Sequence, residues 1–92
     1  MTYDDAPWRH LILAFVERRI DGPTFERQFL DRRREEIDRG LSQRYAVDLL
    51  FYEVDAYCAD PALAGPDDIN EDQLRREAVR CLERWSEPWP KP

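Results

Sequence analysis

The sequence predicts an all-α fold, an antiparallel four-helix bundle, on three grounds. Apolar residues recur at three-and-four spacing in four successive segments. Only three glycines appear, and the prolines lie near the ends of the periodic segments rather than inside them. Short connections join the segments, which favours antiparallel neighbours. A chain of 92 residues is one domain, 1–92, with residues 86–92 expected as an extended tail.

The first segment runs from about Pro7 to Ile20. Trp8, Leu11, Ile12, Phe15 and Ile20 mark its apolar face, Pro7 suits a first helical turn, and Asp21-Gly22 is the expected stop. The second spans about Pro23 to Arg39, with Phe25, Phe29, Leu30 and Ile37 as a thin apolar stripe and Gly40 as its stop. Its remainder, DRRREEIDR, sets acids and bases three or four apart, as on a solvated helix face. The third spans about Gln43 to Cys58, with Ser42 as a candidate cap and Pro61 limiting extension. Tyr45, Ala46, Leu49, Leu50, either Tyr52 or Val54, and Tyr57 are its inward candidates. Residues 60–69 contain proline and glycine and read as a loop. Asn70 and Gln73 then form a capping-box pair, with acids in the first turn to suit the helix dipole. Leu74, Ala78, Cys81, Leu82 and Trp85 follow at helical spacing, and Pro88 closes the segment.

Charge is distributed unevenly. Residues 1–44 hold nine acids and nine bases, and residues 75–92 hold three acids and five bases. Residues 45–74 hold eight acids (Asp48, Glu53, Asp55, Asp60, Asp67, Asp68, Glu71, Asp72) and no base, so the net charge of −6 originates there. A segregated field of one sign steers an oppositely charged partner. It argues against direct nucleic-acid binding, which needs a basic surface. A purely solubilising surface is usually mixed in sign, as the second segment is, so the acidic stretch reads as a partner-binding face.

Other chemistries find little support. Asp60, Gly65, Asp68 and Glu71 fall at positions 1, 6, 9 and 12 of a calcium-loop template, but Ala62 and Ala64 occupy positions 3 and 5 and offer no side-chain oxygen. No metal or cofactor is expected. Cys58 and Cys81 fall well apart along an antiparallel helix pair, too far to form a disulfide, and read as small core or boundary residues. His10 is the only histidine, Ser42 and Ser86 lie at helix boundaries, and no glycine-rich phosphate loop exists. The carboxylates show no substrate pocket between them, so no catalytic residue is assigned and the chain is not read as an enzyme. The N-terminus is acidic where a secretion signal would be basic, and the longest apolar run, Leu11 to Val16, is too short for a bilayer. A cytoplasmic protein that does not contact membrane is expected.

Three blocks carry a family resemblance: FVERRIDGPTFERQFL, LLFYEVDAYCADP and INEDQLRREA. Together, from about Leu11 to Trp85, they resemble the colicin D immunity protein family, the bacterial self-protective colicin-like immunity proteins. The resemblance implies a small four-helix bundle. It also implies a one-to-one partner, the basic nuclease domain of a toxin that cleaves transfer RNA, with carboxylates standing in the toxin's active site where RNA phosphates would lie. Carried over by position, Asp55 and Asp60 are the carboxylates expected to reach catalytic groups, while Glu53, Asp67, Asp68, Glu71 and Asp72 extend the negative face. Tyr52 and Tyr57 lie in the same stretch and suit either the core or partner contact. The tail, EPWPKP, has no counterpart in the resemblance. Two alternatives stay open from sequence: immunity by binding a toxin exosite, and an acidic helical adaptor for some other basic protein.

Overall fold

Helix ends in this chain are set by capping chemistry, and several fall a few residues from where periodicity alone puts them. The computed structural model describes residues 5–90. Helix α1 covers Ala6–Val16, with Pro7 in its first turn and Trp8, Ile12 and Phe15 buried. It ends four residues before Ile20. Arg18 takes a left-handed backbone (φ 62°). The Arg18 amide donates to the Phe15 carbonyl (3.1 Å) and the Arg19 amide to that of Ala14 (2.8 Å). These two bonds are a Schellman closure, with arginine where glycine is usual. Residues 17–19 are all charged, so a longer helix would bury nothing more, and Ile20 reaches the core from the turn instead.

Asp21 opens the second helix rather than closing the first. Helix α2 covers Gly22–Asp38, and the Asp21 carboxylate accepts from the Thr24 amide (2.9 Å). Hydrogen bonding from the Thr24 side chain, and then from its amide, holds the Asp21 carboxyl below the usual range. Phe25 and Phe29 are fully buried. Ile37, expected in the apolar stripe, is 49% exposed, and Glu36 points inward in its place. Glu36 continues the Phe25–Phe29 row at helical spacing and accepts from the buried Trp8 Nε1 (2.9 Å) and Gln43 Nε2 (3.3 Å). Gly40 (φ 73°) ends α2 through its own bond to the Ile37 carbonyl and that of Leu41 to Glu36.

Helix α3 covers Tyr45–Ala56. Ser42 is not its cap: Arg44 occupies that position and makes no side-chain capping bond. The Arg44 guanidinium is held elsewhere, paired with Asp5 and donating from Nη1 to the Trp85 carbonyl (2.6 Å). The helix stops at Ala56 because residues 57–58 pair with the strand-like backbone at Ile69. Cys58 donates to the Ile69 carbonyl (3.0 Å) and Ile69 to that of Ala56 (2.9 Å). Val54, not Tyr52, is the inward residue of this helix. Helix α4 covers Glu71–Glu83 and begins with the expected capping box, Asn70 and Gln73 exchanging bonds of 2.8 and 2.9 Å.

Helix α1 packs against α2 and α4, and α3 packs against α4. Contacts at opposite ends fix the antiparallel order. Phe15 stacks on Phe25 (4.3 Å) where α1 ends and α2 begins, while Trp8 meets Phe29 edge-on (4.8 Å) a turn or two away. Ala46 accepts from the Cys81 thiol, joining the start of α3 to the end of α4. Four fully buried large aromatics each contribute about 2–3 kcal/mol by leaving water, and they form the centre of the core. The tail folds back over the start of α3. Trp89 donates to the Gln43 carbonyl (3.2 Å) and packs on Tyr45 (5.2 Å).

Candidate functional site at the acidic end

The bridge at Tyr57 and Ile69 closes the connection between α3 and α4 into a defined loop. It brings the last turn of α3, the loop and the first turn of α4 to one end of the bundle. Seven of the eight acids of residues 45–74 belong to this region, and Asp48 lies in the first turn of α3 at the opposite end.

These carboxylates differ in role. The Asp60 Oδ1 accepts from the Ala62 amide (2.9 Å) and the Asp68 Oδ2 from the Gly65 amide (2.8 Å), so each shapes the loop and stays exposed. Asp55 and Asp67 are exposed and make no ion pair or side-chain hydrogen bond among the described residues. Glu53 is half-buried and lines a cleft between α3 and α4 with Tyr52, Glu77 and Arg84. Glu71 and Asp72 depart from the sequence expectation, because both have a counter-ion. Arg75 lies 3.1 Å from Glu71 and 3.8 Å from Asp72, just beyond the stretch that contains no base. Arg75 is itself buried, its Nε donating to the Phe15 carbonyl (3.0 Å) and its guanidinium covering the Phe15 ring (4.5 Å). Glu71 also accepts from the Gly22 amide (2.6 Å), tying α4 to the start of α2. Six acids therefore have no basic partner among the described residues: Asp48, Glu53, Asp55, Asp60, Asp67 and Asp68.

The two tyrosines divide. Tyr52 is 63% exposed and available for contact, whereas Tyr57 is 8% exposed and belongs to the core. Burial, then the charges of Glu71, Glu26 and Asp21, push the Tyr57 phenol above its usual value. Leu63, 76% exposed in the acidic loop, is a surface residue the sequence reading missed, because no periodicity marks a loop leucine. A groove of about 440 Å³ opens beside the loop, with Pro23, Pro61, Ala64 and Ile69 on its walls and Asp68 and Glu71 along it.

Elsewhere, both cysteines are free. The Cys58 thiol donates to the Asp60 carbonyl (3.3 Å), and burial pushes the Cys81 thiol up to about 12. His10 is exposed beside a groove between α1 and α2. Among the described residues no three His, Cys, Asp or Glu side chains are grouped to hold a metal, and no helix is long and apolar enough to cross a membrane.

A family model described as bacterial self-protective colicin-like immunity matches residues 7–85, which spans all four helices. No curated protein and no solved structure matches the chain.

Proposed function

This chain belongs to the family of bacterial self-protective colicin-like immunity proteins, and from that membership we propose that it binds and inhibits a colicin D-like toxin nuclease that cleaves transfer RNA. The observation that supports this finer reading is the set of carboxylates at the loop end, Glu53, Asp55, Asp60, Asp67 and Asp68, left without a basic partner on a well-packed scaffold. A nuclease that grips RNA presents lysine, arginine or histidine to phosphates. Carboxylates displayed at the same end of a rigid bundle compete for those groups through charge-assisted hydrogen bonds. Asp55 and Asp60 are the pair that enters the catalytic cleft, with Asp67, Asp68 and Tyr52 as flanking contacts. Glu71 and Asp72 act chiefly inside the protein, through Arg75.

The field of these charges also sets the rate. Capture of a basic domain is expected at ~10⁸ M⁻¹s⁻¹ at low salt, falling steeply as salt rises. The test is co-expression with the nuclease domain of the toxin encoded beside this protein. The parent chain forms a one-to-one complex and protects the cell. The double variant Asp55→Asn, Asp60→Asn binds about a hundredfold more weakly, because two charged contacts become neutral ones. Full protection by that variant contradicts the assignment.

A further inference from the structure

We propose that the groove beside the acidic loop is a receptacle for one long cationic side chain, lysine or arginine, projecting from the toxin. This rests on the function proposed above and specifies a contact that it leaves undefined. The groove, about 440 Å³, is within the range of specific ligand sites. Its walls are apolar, formed by Pro23, Pro61, Ala64 and Ile69. Tyr57 lines it while remaining more than nine-tenths buried, and its hydroxyl makes no hydrogen bond among the described residues. Its ring is buried but its oxygen reaches the groove, where it offers an acceptor that no protein donor uses.

The charged residues that line the groove have a single sign, although Arg75 pairs with Glu71 from behind. Asp68 and Glu71 line the groove, no basic residue does, and the charges of Glu71, Glu26 and Asp21 all act on the phenol. An anion is therefore repelled. The combination of apolar walls and acidic polar groups matches a side chain with an aliphatic stem and a charged head. The stem lies against the prolines and Ile69, while the head donates to the Tyr57 oxygen and to the free Oδ1 of Asp68. Gly22 lets the Tyr57 hydroxyl and Glu71 Oε1 approach the start of α2 and so sets their position beside the groove, since a Cβ there would collide with both.

The test titrates the intact chain with Nα-acetyl-lysine amide and Nα-acetyl-arginine amide, followed by amide NMR shifts, with Nα-acetyl-norleucine amide as the neutral control. Expected are saturable shifts centred on Cys58, Asp68 and Ile69 for the cationic probes and about tenfold weaker binding of norleucine. Tyr57→Phe should weaken the cationic probes severalfold. Ala64→Phe, on the exposed loop, should fill the groove and abolish the shifts while circular dichroism stays helical. Non-saturating shifts spread over all the acids, or shifts unchanged in Ala64→Phe, overturn the proposal. The same variants are then bound to the toxin nuclease domain. Weakened binding supports the groove as an anchor. Parental binding by both variants overturns the groove and leaves the proposed function standing. Failure of the parent chain itself to bind the nuclease overturns the proposed function, and with it the toxin as occupant, even where the lysine probe seats.

Discussion

The two ends of the bundle are built on opposite plans. At the end where α2 stops and α3 starts, a set of polar side chains is answered from within the chain, with Asp48 outside it. Glu36 takes the donors of Trp8 and Gln43, Arg44 joins Asp5 to the Trp85 carbonyl, and Trp89 closes on Gln43. At the end where α3 stops and α4 starts, Glu71 and Asp72 are paired, but Asp55, Asp60, Asp67 and Asp68 face solvent with no cation beside them. The difference separates two tasks. One end supplies cohesion, and the other leaves carboxylates unpaired at the surface, which is the feature the proposed function uses. Arg75 joins the two plans, because it anchors the first turn of α4 to the end of α1 and so fixes the frame from which the free acids project.

Breaking the cohesive end should produce the largest change. Trp8→Ala removes a fully buried ring and the indole donor to Glu36, so a loss of about 3–5 kcal/mol is expected in urea unfolding. Changing the open end should leave the fold alone. Asp55→Asn with Asp60→Asn keeps the acceptor that Ala62 needs and is expected within about 0.5 kcal/mol of parental stability, while toxin binding falls. A large stability loss from that pair would mean that the two ends are not separate in function.

Two smaller effects sharpen the picture. Arg18 occupies a left-handed position at the turn after α1, and Arg18→Gly should stabilise the chain by roughly 0.5–1 kcal/mol, read from thermal or chemical melts. Glu26 and Asp21 should respond to acid in opposite senses. Burial raises the Glu26 carboxyl, so the folded state binds its proton more tightly and gains stability as pH falls through that raised value. Hydrogen bonds from Thr24 lower the Asp21 carboxyl, so its contribution is present above the ordinary carboxylate range and is lost as pH falls through the lowered value. Glu26→Gln is therefore expected to raise the melting temperature at pH 7 and to lose that advantage near pH 4, whereas Asp21→Asn should lower it at pH 7.

The helices were legible because each carries a strong local signal: aromatic residues at helical spacing, Gly40 at a stop, and the Asn70–Gln73 pair at a start. What periodicity could not supply was long-range. Glu36 turns inward because Trp8 and Gln43 converge on it, and Arg75 is buried because the Phe15 carbonyl and ring are there to receive it. Helical spacing places Glu36 in the Phe25–Phe29 row and Arg75 beside Leu74 and Ala78, yet a charged residue reads as solvent-facing until the partner that receives it is known. The same gap explains Ser42, passed over as a cap because Arg44 is pinned by Asp5 and Trp85. At the acidic end the stretch of charge was plain, yet its internal division was not. Arg75 falls one residue past the acid-only stretch, and Tyr57 lies under the surface rather than on it.

The most direct measurement is competition for the toxin's nuclease domain between this protein and transfer RNA, at physiological salt and with a catalytically dead toxin. The account predicts mutual exclusion, with each ligand raising the apparent dissociation constant of the other in proportion to its concentration. A stable ternary complex, with transfer RNA still seated while this protein is bound, would contradict it.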